Sequence, residues 1–203
     1  MLTVQWKPPP ATHEQIEEHL GDHAGLAFVD RARLSRLLCD QLVYGITTRT
    51  LDSFAVTDVL QALEMPDRAR RRVEARPFKN PPLRGLLHAH FVQANFIAKN
   101  LENELRRRNG LTHVREAFES SGVLDQQTIN RVAHAATIGV YEQRARRDAL
   151  TGEWLIYADH GGDNFYLAVA GHDEGDHVIY DRIMDRCEES FRRILIAATS
   201  QGG

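Results

Sequence analysis

Two strand-like runs around a four-residue turn constrain this chain more than any other segment. Trp154-Leu-Ile-Tyr-Ala158 and Phe165-Tyr-Leu-Ala-Val169 are rich in aromatic and β-branched residues, and Gly161-Gly162-Asp163-Asn164 between them is strong turn chemistry. The pattern predicts a β-hairpin. Successive side chains on a strand point to opposite faces, and here both faces are largely apolar, so the hairpin has to be covered on both sides.

The remaining signals are helical. Thr12 and Gln15 fit a capping box that opens a helix from His13 to about Leu20. Leu34, Leu37, Leu38 and Leu42 give an apolar arc over residues 28–44, with Gly45 as the expected stop. Asp52 is a plausible N-cap for a third helix carrying Val56, Val59, Leu60 and Leu63 on one side. Leu83, Leu87, Phe91, Ala94, Ala98, Leu101 and Leu105 recur at three- and four-residue spacing and predict a long helix ending at Asn109-Gly110. Shorter helices are expected over residues 112–120 and after Asp125. A long last helix is expected from His177 to Ala198, with Tyr180, Ile183, Met184, Cys187, Phe191, Ile194 and Leu195 on one arc. The fold class expected from this pattern is predominantly α (α+β), a multi-helix single domain packed around one C-terminal β-hairpin, with a long C-terminal helix. The domain is taken to span residues 1–203. A possible subdivision separates a helical part, 1–122, from a helix-hairpin-helix part, 123–203.

Charge is unevenly distributed. The formal net charge is −3, yet residues 1–30 sum to −4, residues 31–150 to +7 and residues 151–203 to −6. Either the acidic ends cover the basic middle, or the middle is a surface for a polyanion such as nucleic acid or an acidic protein partner. Two cysteines, Cys39 and Cys187, both in apolar helical contexts, read as buried thiols and make a disulfide framework improbable. No signal-peptide pattern and no apolar run of membrane-spanning length is visible, so a cytoplasmic location without membrane contact is expected. A homo-oligomer is compatible with the sequence.

Histidines supply the candidate chemistry. On a helix, His88 and His90 would point about 200° apart, with His90 inside the apolar arc. There it is either a buried, hydrogen-bonded ring or a general acid or base tuned by its surroundings. His172-Asp-Glu-Gly-Asp-His177 is the most concentrated polar cluster. It reads as a solvated loop in which Gly175 turns the chain and Asp176 caps the next helix. The alternative is a divalent-metal site built from His172, Asp173, Asp176 and His177. Within the hairpin, pairing His160 with Phe165 sets His160 and His172 on opposite faces. A one-residue change of register would restore a common face but leave them roughly 20 Å apart at ~3.3 Å per residue, so the two are not expected to share a site.

The catalytic set expected from these features is His90, His172 and His177. Arg68, Arg71, Arg72 and Arg84 are the candidates for binding substrate phosphate. No cofactor is expected, because phosphate-loop, nucleophile-elbow, zinc-protease and paired-cysteine motifs are all missing. The functional expectation is a small bacterial-type hydrolase of phosphodiesters, most plausibly a ribonuclease using histidine acid–base chemistry. The alternative is a non-enzymatic helical interaction or regulatory protein that binds an acidic partner. Phe78-Lys-Asn-Pro-Pro-Leu-Arg-Gly85, His88, His90 and the hairpin beginning at Gly152 carry no family motif. In style alone the arrangement is similar to small bacterial ribonuclease toxins, which also set histidines on or beside a hairpin packed on helices; no functional residue carries across.

Overall fold

A computed structural model describes residues 6–67, 73–91, 119 and 153–201. The chain divides into two units, one made of residues 1–91 and 153–203, the other of residues 92–152. Apart from Glu119, the second unit lies outside the described residues, and so do the helices expected beyond Phe91 and before Glu153.

The first unit is built on a four-stranded antiparallel sheet in the order β1 (Ala75–Pro77), β2 (Leu87–Phe91), β3 (Glu153–His160) and β4 (Asp163–Gly171). The expectation of one hairpin surrounded by helices is therefore wrong. The hairpin forms as β3 and β4, but it is half of a larger sheet whose other strands come from earlier in the chain. The error lies at Leu87-His-Ala-His-Phe91. Leu83, Leu87 and Phe91 fit a four-residue helical spacing, yet the same stretch alternates apolar and polar at every residue. The period-two pattern wins because β2 can pair along β3, with Leu87 opposite Tyr157 and Phe91 opposite Glu153.

The helices before the sheet largely follow their caps. The Thr12–Gln15 capping box is present at α1 (His13–Ile16), which continues as one π-helical turn, Glu17–Gly21. Ser35 caps α2 (Arg36–Thr48), which runs through Gly45 and ends at Arg49 in the left-handed region. Asp52 caps α3 (Ser53–Glu64) by accepting from the Phe54 and Ala55 N–H groups. The expected long last helix is instead two, α4 (Asp176–Arg186) and α5 (Glu189–Gln201), separated by Cys187 in extended backbone. At this break the Glu188 carboxylate accepts from the Arg36 N–H, in the first turn of α2. The apolar arc read as continuous is thus shared between two helices lying over the same face of the sheet.

Both faces are covered. On one, Ala89, Phe91, Leu155, Tyr157, Tyr166 and Val169 join a core with Leu38 and Leu42 of α2 and Val56, Val59 and Leu60 of α3. On the other, Ile156, Ala158, Ala168 and Ala170 meet Ile179 and Ile183 of α4 and Phe191, Ile194 and Leu195 of α5. Removing this much apolar surface from water is the main stabilisation available to the unit, at roughly 25 cal/mol per Å². The outer edge of β4 is closed by side chains and loop. Ser35 N–H donates to the Tyr166 carbonyl, and the Gln41 amide exchanges two hydrogen bonds with Val169. Among the described residues no helix is long and apolar enough to cross a membrane.

One irregularity sets the faces of the hairpin. Ile156 pairs with Ala168 and Tyr157 with Tyr166, so Leu167 is an extra residue in β4. Beyond this bulge the parity changes. His160 pairs with Asp163 rather than Phe165, and Ala158 takes Phe165 as its partner. His160 and His172 consequently belong to the same face but to opposite ends of the hairpin, as a shift of register requires.

Candidate active site: an imidazole cluster around Trp154

The cluster follows from strand register. His90 lies opposite Trp154, Trp154 opposite Ala170, and His88 between Arg76 and Ile156. Residues two apart on a strand share a face, so His88 and His90 stand side by side, with ring centroids 5.5 Å apart. The helical expectation that separated them is overturned with the helix itself. His172 follows the last residue of β4 and turns its ring onto the same patch. It stacks on His90 at 4.9 Å with 27° between planes and lies 4.3 Å from the Trp154 ring. Phe78 closes the group, 4.6 Å from His88 and edge-on to Trp154 at 5.3 Å.

Three imidazoles thus surround one indole. His88, His90 and Trp154 are half-buried, and His172 is exposed. Burial pushes the His88 pKa down to about 4, with further lowering from the charges of His90, His172 and Arg76. His172 keeps much of its surface in water, but the packing of its ring against His90 and Trp154 desolvates it enough to lower its pKa as well, against a smaller opposing pull from Asp173. The rings of His88 and His172 are therefore neutral at pH 7. The His88 Nδ1 and Trp154 Nε1 atoms are buried without a hydrogen-bond partner among the described residues, a type of exception that calls for an explanation in a native structure.

The His88 shift implies a pH dependence of stability. Below the ordinary imidazole pKa of about 6.5 the unfolded chain binds a proton that the folded chain refuses, so stability falls as pH drops from about 6.5 toward about 4. Allowing for partial exposure, the expected loss is about 2 kcal/mol. Urea unfolding at pH 7 and pH 4.5 measures it, and a His88→Gln variant is expected to show a shallower decline. Identical pH profiles for the two proteins would remove His88 as the cause.

The other expected site residues fare differently. His177 is exposed in the first turn of α4 and makes no ring contact with the cluster. Arg68, Arg71 and Arg72 lie outside the described residues. Arg84 sits on the turn before β2 in a short bridge to Leu86, with its Nε buried. The run from His172 to His177 is a turn into α4, with Gly175 rather than Asp176 in the N-cap position. Its Glu174 accepts from Gly171 N–H and pairs with Arg182. Among the described residues no group of three or more histidine, cysteine or acidic side chains is arranged to hold a metal. Stacking itself disfavours chelation by His90 and His172, because imidazole lone pairs lie in the ring plane and near-parallel rings do not converge on a point. Cys39 and Cys187 are buried free thiols with pKa values pushed up to about 11 by burial, which leaves them poor nucleophiles.

Sequence reasoning missed Phe78, Trp154 and Arg76. The alternation at residues 87–91 was the available signal, since a strand there must pair with the hairpin and bring His90 beside Trp154. Compared with known proteins, the chain matches no protein-family model, no curated protein and no solved structure.

Proposed function

We propose that this protein cleaves a phosphodiester in RNA by histidine acid–base chemistry, with His90 and His172 as the proton-transferring pair. One observation carries the reading: two imidazoles, one on β2 and one just past the end of β4, lie 4.9 Å apart against the same indole. Stacked rings present their edges side by side, so two ring nitrogens can address two oxygens of one phosphate. RNA is the substrate such a pair suits best, because its 2′-hydroxyl supplies the nucleophile.

In the cleavage step one neutral imidazole takes the 2′-hydroxyl proton while the oxygen attacks phosphorus. The bond from phosphorus to the 5′-oxygen breaks, and the second ring, as imidazolium, gives that oxygen its proton. The products are a 2′,3′-cyclic phosphate and a 5′-hydroxyl. His172 suits the base role, because its lowered pKa keeps it unprotonated at neutral pH. His90 is then the acid. Arg76, opposite His88 in the sheet and ion-paired with Glu74 at 2.8 Å, is a cation whose charge reaches the cluster and can help stabilise charge developing on the phosphate.

The rival reading, a non-enzymatic protein that meets an acidic partner, rests mainly on arginines outside the described residues. Val178 and Ile196 are exposed apolar side chains on two different helices, and isolated ones are ordinary.

The test is cleavage of a single-stranded RNA oligonucleotide by wild type, His90→Asn and His172→Asn. Each variant is expected to lose about 100-fold in rate, with one limb missing from the bell-shaped pH profile. The same oligonucleotide with a 2′-deoxy sugar at the cleaved position is expected to stay intact. Wild-type rates in both variants, or equal cleavage of the deoxy substrate, would overturn the proposal.

A further inference from the structure

A second groove runs along α4, lined by none of the rings of the imidazole cluster. At positions 178, 181, 182 and 185 the helix presents Val178, Asp181, Arg182 and Asp185, spaced to share one face. Together with Glu174 and the N-terminal residues Trp6 and Lys7, this face lines a groove of about 690 Å³. That volume falls within the range of small-molecule sites.

The groove has a firm floor. Arg182, with only 4% of its side chain exposed, pairs with Glu174 at 3.0 Å and also donates to the Val169 carbonyl. One wall is Trp6, whose carbonyl accepts from the Gln41 side chain. Its indole lies against Gly171, where a Cβ would fall 3.2 Å from Trp6 Nε1, so the glycine permits this approach. Val178, 56% exposed, adds apolar surface.

Charge decides what fits. The lining holds two cations and three carboxylates. Arg182 is committed to Glu174, and Lys7 to Asp185 at 2.7 Å. Asp181 is left as a carboxylate with no basic partner among the described residues. An aromatic face, an apolar side chain and one uncompensated carboxylate are complementary to a cation with a hydrocarbon body. We propose that this groove binds a small organic ammonium ion, with its charge at Asp181 and its apolar body against Trp6 and Val178.

The probe is n-butylammonium, with n-butanol as the neutral isostere and butyrate as the anionic one. The readout is the indole N–H signal of Trp6 in nuclear magnetic resonance spectra, assigned by its loss in Trp6→Phe. Trp154 provides an internal reference. Butylammonium is expected to shift the Trp6 signal saturably at concentrations of about 1–10 mM, corresponding to a weak site. Asp181→Asn, an exposed substitution, is expected to weaken binding about fivefold without disturbing the rest of the spectrum. Equal responses to butanol or butyrate, unchanged binding in Asp181→Asn, or no saturable shift up to about 20 mM would each overturn the proposal. None of these results bears on RNA cleavage, so the two sites stand or fall separately.

Discussion

Replacing Asp40 with alanine is expected to destabilise the protein by about 3 kcal/mol, measured as a lower urea midpoint at pH 7. Asp40 is 1% exposed on α2 and accepts from three elements. Ala11 N–H reaches it at 3.0 Å, Arg36 Nε at 2.9 Å and Arg186 Nη2 at 3.1 Å. Both arginines continue into the N-terminal segment, Arg36 to the Ala11 carbonyl and Arg186 to the Pro8 carbonyl. Without the carboxylate, two guanidinium groups and one backbone N–H face each other in a site built for a negative charge. Breaking such an arrangement costs about 3–5 kcal/mol when it is buried; Arg36 is partly exposed and regains water, which favours the lower figure. Backbone N–H groups around Ala11 are expected to lose hydrogen-exchange protection first. Asp40→Asn keeps an acceptor oxygen and is expected to cost less. A loss below about 1 kcal/mol in the alanine variant would mean that the N-terminal segment is held by other contacts.

Gly85→Ala is expected to cost about 2–4 kcal/mol and to loosen the end of α5. Gly85 has φ +99°, a conformation that a residue with a Cβ adopts only under strain. It also touches α5. A Cβ would lie 2.1 Å from the Ala198 carbonyl oxygen and 2.8 Å from its carbon. That neighbour is backbone, so it cannot swing aside as a flexible side chain does. Either the turn before β2 opens or the last turn of α5 moves, and α5 supplies Ile194 and Leu195 to the second core. Gly161 and Gly162 provide the comparison, since both have positive φ but nothing within 4 Å of an added Cβ. Their alanine variants carry the backbone strain alone, about 1 kcal/mol each. Thermal unfolding of the three variants separates strain from collision, and equal losses in all three would refute the contact argument.

The parts of the fold that were legible in the sequence are those fixed by local chemistry. The capping oxygens of Thr12 and Asp52 start helices where expected, because each satisfies nearby N–H groups without help from the rest of the chain. The hairpin was legible because Gly161-Gly162 and the flanking aromatic runs sit within one short stretch. β2 was not, since five residues of alternation compete with an apolar spacing that continues helically on either side. Only its partner β3, distant in sequence, resolves the ambiguity. The same long-range pairing hid the site. His90 and His172 were both candidates on composition, but their contact depends on Trp154 lying between their strands. The break at Cys187 was hidden for a related reason: the apolar period continues through it, and Glu188 turns to the start of α2 instead.

The pairing of Phe91 with Glu153 also bears on the order in which the protein can assemble. The chain leaves the sheet at Phe91 and re-enters beside it, with residues 92–152 made in between. On the ribosome β1 and β2 emerge early, and the partner that completes their ladder is synthesised only after that whole stretch. During this interval the inner edge of β2, including Leu87 and Phe91, lacks its native partner β3, and unpaired edges are prone to join other chains. A nascent chain paused before residue 153 therefore lacks the strand that covers this edge in the folded unit. Synthesis of the hairpin is the event that supplies it.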